Sequence, residues 1–297
     1  VYNQWTIISK YHYELSSIAN ASTSIRYQYE DGWTKEEDRA FTFWVRPKYK
    51  KPIGNNVLIL SIVNNNGKVQ LNAGNLPTFG NVISVGDWVN IRGTQSYNSL
   101  YKVIEIIGDS IVIDETYIDD ILATGSPSFN KEVSNNFMIY ENDLIPPTQN
   151  VSFTYTYNWF IMKINDSYYK WKISQPFIKD DWYAIVINLN ATARQLGLFV
   201  YNTLQTSGAV NPELTSSLNL IFNETKSYTP VDVIDNQSWK ILGCQTDLTN
   251  IRIWQKPIEE ELQSLILSQY VVKDTHLSLL LDNASPQLML PDVTDAR

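Results

Sequence analysis

The sequence predicts an all-β fold, a β-sandwich that carries one short helix and has a small β-barrel inserted into it. Many short segments alternate apolar and polar residues, which is the period of a strand with one buried face. The composition, 43% hydrophobic and 12% aromatic residues, is sufficient for a core and suits a pleated surface. One stretch, which begins at Pro257, has apolar residues at the spacing of a helix.

The first predicted strands lie in the N-terminal quarter of the chain. Residues 24–30 and 41–47 alternate apolar with polar side chains, so we expect two strands that each bury one face. Residues 57–63 form an unbroken apolar run, which predicts a strand buried on both faces. A polar turn that contains glycine follows at 64–67.

The pattern of apolar and turn residues changes at about residue 76, where we expect the inserted barrel. Residues 86–93, 101–106 and 108–113 are short strand-like segments punctuated by Gly or Gly-Asp turns, as in small antiparallel barrels. This pattern resembles SH3-like barrels.

Sandwich-type strands occur on both sides of this region, and a surface loop tolerates an insertion well. The predicted domains are therefore a sandwich made of 1–75 and 126–290, a barrel spanning 76–125, and a tail spanning 291–297.

The sandwich is expected to resume after the barrel. Its predicted strands are 136–140, 151–155, 159–164 and 168–173, followed by a hairpin of 181–189 and 195–201.

The C-terminal part carries two short strands and then the helix. Pro257 suits a first helical position because it lacks an N–H, and Glu259 to Glu261 suit the first turn, where the helix dipole favours negative charge. The apolar face of the helix is predicted to contain Ile258, Leu262, Leu265 and Ile266. Short strands are expected at 276–282 and 287–290.

Three segments together resemble the laminin-G-like, or concanavalin A-like, jelly-roll family. They are FTFWVRP at 41–47, DDWYAIVINLNATARQLGLFVYNT at 180–203 and NIRIWQKPI at 250–258. Their order along the chain is the order in the family. The resemblance implies a β-sandwich, and it places Trp44, Trp182 and Trp254 in the core.

The net charge, the lengths of the apolar runs and the cysteine content limit the kinds of partner and environment that we expect. The formal net charge of −8 and the lack of a basic stripe argue against a nucleic-acid partner. No apolar run in the sequence approaches the length of a membrane span, so we expect no membrane partner. Cys244 is the single cysteine, which excludes an internal disulfide and favours assembly in a reducing cytosol.

The sequence favours a protein that is not an enzyme. His12 and His276 are the only histidines, which leaves little for a catalytic triad or a zinc site. Some jelly-roll glycan hydrolases place acids along one strand as E-x-D-x-x-E. Glu141 and Asp143 begin this pattern, but Pro146 stands where the second Glu is needed.

No cofactor is expected, and calcium is the one candidate ion. Relatives in the resembled family often bind calcium with loop oxygens at one rim of the sandwich. Asp247 and Asn250, in a predicted turn before the strand at 251–254, are the candidate ligands. The family often has Asp where Asn250 stands, which weakens the match.

Glycan binding in this fold uses exposed aromatic rings next to polar side chains. The candidates for contact with a glycan or a protein partner are Trp88, Tyr97, Asn98, Tyr168 and Tyr169. Tyr97 is the strongest because residues 96–99 are predicted to form an exposed loop tip. The alternative for each ring is packing in the core or against a neighbouring strand.

Two classes of function follow from these expectations. The first is a non-enzymatic structural or decoration protein of a tailed-phage virion, in the capsid, neck, tail or baseplate. Such a protein is assembled in the host cytoplasm and contacts other virion proteins, copies of itself or a glycan. The alternative is a carbohydrate-binding, lectin-like module of a secreted or receptor-binding protein, with an extracellular location.

Overall fold

The computed structural model describes residues 13–15, 25–29, 33–47, 56–74, 83–119, 126–142, 149–203, 218–233, 237–241, 246–267 and 277–281. The chain forms two compact units. The sandwich unit comprises Val1–Lys50 and Asn135–Arg297, and the barrel unit comprises Lys51–Ser134.

The first sheet of the sandwich has seven antiparallel strands. They are β1 (Tyr13–Leu15), β3 (Arg39–Pro47), β14 (Tyr183–Asn190), β15 (Gln195–Thr203), β16 (Leu218–Ser227), β18 (Thr246–Trp254) and β19 (Leu277–Leu281). The order is β1-β18-β3-β14-β15-β16, and β19 also pairs with β18. The predicted hairpin at 181–201 is formed by β14 and β15, which pair over eight residues.

The second sheet has six antiparallel strands. They are β2 (Ile25–Tyr29), β10 (Asn135–Asn142), β11 (Gln149–Tyr155), β12 (Trp159–Ile164), β13 (Ser167–Lys172) and β17 (Gln237–Ile241). The order is β13-β12-β11-β10-β17-β2. Asn165 takes a positive φ of 48° in the tight turn between β12 and β13, a conformation that asparagine tolerates better than most residues.

Aromatic rings from both sheets meet in the sandwich core. Phe41 and Phe43 of β3 lie against rings of the second sheet, with centroids 5.4 Å apart for Phe41 and Phe153 and 5.2 Å apart for Phe43 and Phe137. The pairs are edge-on, the geometry that ring quadrupoles favour. Two stacked antiparallel sheets therefore share one aromatic core.

The opposite face of the first sheet is also buried. Trp44, Trp182 and Trp254 form a cluster there with Ile258 and Leu267. Burial of these three tryptophans agrees with the placement that the family resemblance implies.

The short helix α1 (Glu260–Leu267) contributes to this second cluster. It begins three residues after Pro257, later than the sequence predicts. Leu262, expected on its apolar face, is exposed, so this part of the prediction is wrong. Gln263 is buried instead, because its amide accepts from the Tyr201 hydroxyl at 2.7 Å and donates to the Ile258 carbonyl at 3.0 Å. Within the described residues, no helix has the length and apolarity needed to cross a bilayer.

The barrel unit contains six strands that close on themselves. They are β4 (Val57–Asn65), β5 (Lys68–Ala73), β6 (Trp88–Arg92), β7 (Leu100–Ile107), β8 (Ser110–Thr116) and β9 (Ser128–Glu132), in the order β4-β5-β8-β7-β6-β9. β4 pairs with β9 at its start and with β5 further on, while β7 pairs first with β6 and then with β8. The barrel is thus two sheets that meet along β4 and β7.

The limits of the barrel differ from the prediction of 76–125. β4, β5 and β9 belong to it, although the sequence suggests that they belong to the sandwich. The expectation that 57–63 is buried on both faces is wrong, because burial alternates along β4. Val57 and Ile59 enter the barrel core, whereas Leu58 and Leu60 face outward.

The topology confirms the predicted fold class, an all-β, laminin-G-like β-sandwich with one short helix and an inserted small barrel. The expected strand at 287–290 and the tail at 291–297 lie outside the described residues. The same holds for His12, Cys244 and His276.

Two of the edge strands of the sandwich carry features that discourage pairing with another chain. β16 ends the first sheet and has a register irregularity opposite Val200 and Tyr201, next to the charged pair Glu224 and Lys226. β13 ends the second sheet and carries Lys170 and Lys172. Bulges and lysines are common protections of sheet edges.

Candidate functional site

The predicted contact residue Tyr97 is buried. Only 2% of it is exposed, and its ring belongs to the barrel core. The hydroxyl donates to the Ile118 carbonyl at 2.7 Å and accepts from the Ile118 N–H at 2.6 Å. The expected exposed loop tip is therefore wrong at this residue, because the ring lies in the barrel core and the hydroxyl bonds to the segment that follows β8.

Trp88 and Asn98 do not form a sugar-stacking surface in this structure. Trp88, at the start of β6, is 5% exposed and offers no free ring face. Asn98 is exposed, but its side chain closes a local loop: Oδ1 accepts from the Thr94 N–H at 2.9 Å and Nδ2 donates to the Thr94 carbonyl. The amide is thus engaged in local structure.

Tyr168 and Tyr169 are neighbours on β13, so their side chains point to opposite faces of the sheet. The Tyr168 ring lies 5.9 Å from the ammonium of Lys163. The Tyr169 ring packs against the buried Tyr228, with centroids 5.9 Å apart. The two rings cannot belong to one groove, and they lie in a different unit from Trp88, Tyr97 and Asn98.

The candidate calcium ligands Asp247 and Asn250 lie within β18 and not in a turn. Asp247 is in register with Glu14 of β1 and Arg46 of β3. Asn250 falls at the irregularity between Thr249 and Arg252 in the pairing with β3. In the part of the chain that the structure describes, no cluster of three or more Asp, Glu, His or Cys side chains suits a metal ion.

The acid pattern considered for catalysis is only partly within the described residues. Glu141 lies on β10, whereas Asp143 and Pro146 are outside them. Shifted pKa values are found for phenols: burial raises the pKa of Tyr101, Tyr183 and Tyr201 to about 12. These hydroxyls stay protonated at neutral pH and serve as hydrogen-bond groups, as Tyr201 does toward Gln263.

The sandwich unit has an open cleft of about 1000 Å³ at one rim. Three segments form it: the loop before β3, the turn between β14 and β15, and the residues at the end of β16. Its lining residues are Lys35, Glu36, Ala191, Thr192, Ala193, Arg194, Gln195, Ser227, Tyr228, Thr229 and Pro230. We call it the rim cleft.

Short polar side chains hold the loops of the rim cleft in place. Asp38 accepts from the Ala191 N–H, and Asp232 accepts from the Lys35 N–H, both at 2.7 Å. The Arg194 carbonyl accepts from the Tyr228 N–H at 2.9 Å, and Arg194 itself has a positive φ of 53°. The cleft is therefore built by specific contacts between segments far apart in sequence.

Two positively charged side chains line the rim cleft, and their charged groups can contact a ligand. The side chains of Lys35 and Arg194 are exposed and, among the described residues, form no hydrogen bond or ion pair. Glu36 is the one carboxylate in the lining, and the hydroxyls of Thr192 and Ser227 add neutral polar groups. The lining suits a polar ligand. Sequence reasoning missed this cleft because it did not predict β16, whose end forms part of the lining.

Exposed aliphatic side chains are concentrated on the barrel unit. Of the ten exposed large hydrophobic residues in the described chain, eight lie there: Leu58, Leu60, Val63, Val85, Ile104, Ile106, Ile107 and Ile118. Ile178 and Leu262 are the two on the sandwich. The barrel unit is the smaller of the two, so its outer surface is much richer in apolar groups.

Five of the eight lie on one side of the barrel, the outer surface of β4-β5-β8-β7, which we call the barrel face. Leu58, Leu60 and Val63 form one column on β4, and Ile104, Glu105 and Ile107 form the other on β7. Ile106 is in register with Ile111 of the barrel core, so its side chain lies on the inner side of β7.

A polar ladder on β5 and its neighbours separates these two columns. Asn72 donates to Ser61 at 2.7 Å and accepts from Ser110 and Gln70 at 2.8 Å. The barrel face thus has mainly aliphatic sides, with Glu105 on one of them, and a polar centre that includes the ion pair of Lys68 and Asp114.

No protein-family model matches the chain, and a search of curated proteins gives no match. Among solved structures, the chain is similar to domains LG4-5 of the mouse laminin alpha1 chain, at 9% sequence identity. The similarity covers 85% of this chain and 90% of that one, with a TM-score of 0.21. A TM-score this low carries no argument about function.

Proposed function

We propose that this chain is a non-enzymatic contact protein, a structural or decoration subunit of a tailed-phage particle. The observation that carries the proposal is the concentration of exposed aliphatic side chains on the barrel unit. Large contiguous apolar patches on a soluble protein commonly mark sites of interaction. In this account the sandwich is the stable scaffold and the barrel supplies the contact surface.

Packing of the aromatic residues supports contact in preference to sugar stacking. Tyr97 is enclosed in the barrel core, and Tyr169 packs on Tyr228. Two of the edge strands of the sandwich, β16 and β13, carry features that discourage strand addition, so partners there would meet side chains and not free backbone.

Features of the sequence and of the fold support the proposal that the chain belongs to a phage particle. It is acidic, it has a single cysteine, and a barrel interrupts a sandwich of laminin-G-like type. A protein that repeats in many copies needs stable folds and contact surfaces, and it needs no turnover.

Mass spectrometry of purified phage particles from a source that encodes this chain tests the proposal. The chain should be present in many copies per particle and should remain through density-gradient purification. Recovery of the chain only in the soluble fraction, with none in the particles, would contradict the proposal.

A second candidate function, carbohydrate binding, is favoured by the rim cleft. Lys35 and Arg194 could engage an acidic group of a glycan while Thr192, Gln195 and Ser227 engage its hydroxyls. A glycan array probed with the full chain tests this. Binding should be lost in Lys35→Ala/Arg194→Ala and kept in Lys179→Ala, a control cation next to Asp180. Equal loss in both variants, or no binding by the parent chain, would exclude this cleft.

A further inference from the structure

We propose that Asn66 is a site of spontaneous deamidation and that the side chain of Asn64 controls the rate of the reaction. Asn66 and Gly67 form the two-residue turn between β4 and β5, and both are exposed. Their φ angles are positive, 51° and 83°, as a type I′ turn requires. The inference goes beyond the proposed contact function and does not depend on it.

The chemistry needs only these two residues, hydroxide and water. Hydroxide removes the proton of the Gly67 amide, and the nitrogen attacks Cγ of the Asn66 side chain. A C–N bond forms, the bond from Cγ to the side-chain nitrogen breaks, and this nitrogen takes a proton from water and departs as ammonia. The product is a five-membered succinimide. Water then opens the ring at one of its two carbonyls, which leaves either aspartate or isoaspartate.

Gly67 leaves the path to Asn66 open. A side chain at residue 67 would crowd the attack on Cγ, and glycine has none. No atom lies within 4 Å of the position that a Cβ of Gly67 would take, so hydroxide and water can reach the turn. Asn66 is the only asparagine of the sequence that precedes a glycine. Asn165, in the comparable turn between β12 and β13, precedes Asp166 and is a hindered reference within the same chain.

Hydrogen bonds of the folded turn slow the reaction. The Gly67 N–H donates to Oδ1 of Asn64 at 2.8 Å, so its proton is held and is lost less readily. The Asn66 side-chain amide donates to Oδ1 of Asn65 at 3.2 Å, and the Tyr117 N–H donates to the Gly67 carbonyl at 2.9 Å. Ring closure requires the peptide unit between Asn66 and Gly67 to rotate, which moves the Gly67 N–H away from Asn64. The turn must therefore open locally before Asn66 reacts.

Deamidation would alter the barrel where β4 and β5 join. Both products carry a carboxylate in place of a neutral amide, and isoaspartate also adds one atom to the backbone of the turn. A two-residue turn fixes the register of its hairpin. The added atom should therefore loosen the pairing of Asn65 with Lys68, the last pair before the turn.

Mass spectrometry of the full chain, incubated at mildly alkaline pH and sampled over weeks, measures the rate at each asparagine. Asn66 should react faster than Asn165. Asn64→Ala should raise the rate at Asn66 by about fivefold, the factor expected for the loss of one hydrogen bond. Asn72→Ala is the matched control, since it removes side-chain hydrogen bonds of the same hairpin but not the one from Gly67, and it should leave the rate unchanged. Far-UV circular dichroism checks that both variants are folded.

Two further measurements identify the folded turn as the cause. In urea, Asn66 should react about tenfold faster than in the folded parent chain, and equally fast in Asn64→Ala and in the parent, because no turn remains. The isoaspartate form, separated by ion exchange, should melt about 4 °C or more below Asn66→Asp, which has the same charge without the added backbone atom.

Three results would overturn the inference: a rate at Asn66 no higher than at Asn165 in the folded chain, equal rates at Asn66 in folded Asn64→Ala and the folded parent, or a difference between these two chains that persists in urea. The last result would show that Asn64 acts through the local sequence and not through the folded turn. None of the three bears on whether the chain is found in particles, so the contact function keeps its own test.

Discussion

The sandwich and the barrel differ in how much apolar surface they leave exposed to solvent. The sandwich buries both faces of its first sheet, one against the second sheet and the other in a tryptophan cluster that includes Leu267 of α1. Two of its edge strands, β16 and β13, also carry features that discourage strand addition. The barrel has no edge to protect, because its six strands close on themselves, yet it leaves a row of aliphatic side chains outside.

This difference shows where an all-β chain can place an apolar contact surface. An open sheet edge with exposed aliphatic side chains invites uncontrolled strand addition. A closed barrel satisfies its backbone groups internally, so outward aliphatic groups can contact a partner through side chains alone. The barrel is therefore the safer location for such a surface.

The largest expected effect on stability concerns the first sheet of the sandwich, which is buried on both faces. Trp44→Ala should lower the free energy of unfolding by about 3–5 kcal/mol, since it opens a cavity and removes the Nε1 hydrogen bond to the Leu267 carbonyl. Urea unfolding followed by far-UV circular dichroism measures this. A loss under about 1 kcal/mol would mean that this face of the sheet is not a packed core.

High pH should affect both units at once. The pKa of Tyr101 in the barrel and of Tyr183 and Tyr201 in the sandwich is raised to about 12 by burial, from 10.0. The unfolded chain therefore loses these protons first, so stability is complete below pH 10 and falls as the pH rises from 10 towards 12. The slope is up to about 1.4 kcal/mol per pH unit for each phenol.

Thermal unfolding between pH 9 and pH 12 checks this expectation. Tyr201→Phe should flatten part of the decline, since it removes one of the groups. A melting temperature that is constant over this range would contradict the assignment of these phenols to buried sites.

A smaller effect is expected from the hydroxyl of Tyr97 in the barrel. Tyr97→Phe keeps the ring but leaves the Ile118 N–H and carbonyl without this partner, at a cost of about 1–3 kcal/mol. Tyr117→Phe is the matched control, since its hydroxyl bonds to the exposed Asp119. Equal destabilisation by both substitutions would show that the Tyr97 hydroxyl has no special role.

The smallest effect on stability is expected on the barrel face. Leu60→Asn and Ile107→Asn should each change the free energy of unfolding by less than about 0.5 kcal/mol, because both side chains are exposed. Urea unfolding of the monomer measures this. A loss above about 2 kcal/mol would show that these residues belong to a core, and the contrast between the two units would disappear.

The strands of the sandwich could be predicted from the sequence where apolar residues recur at every second position along the whole strand. β14 and β15 are an example, because every second side chain enters a core and the side chains between them are small or aromatic. β16 escaped prediction because Leu220, Ile221 and Phe222 are consecutive at a register irregularity, which breaks the two-residue period.

The candidate site was harder to predict because it depends on contacts distant in sequence. Tyr97 is next to polar residues and suggests an exposed tip, but its hydroxyl meets Ile118, which is 21 residues away. The apolar run at 57–63 suggested burial on both faces, since a sequence does not reveal which apolar side chains face solvent. The same outward residues of β4 form one column of the barrel face.

Hydroxyl-radical footprinting tests most directly whether the barrel face is a contact surface. Oxidation of Leu60 and Ile107 is compared between the dilute chain and the chain in particles, with Ile178 as an exposed reference on the sandwich. We expect strong protection of Leu60 and Ile107 in the assembled state and no comparable change at Ile178. Equal oxidation of Leu60 and Ile107 in both states would contradict the account.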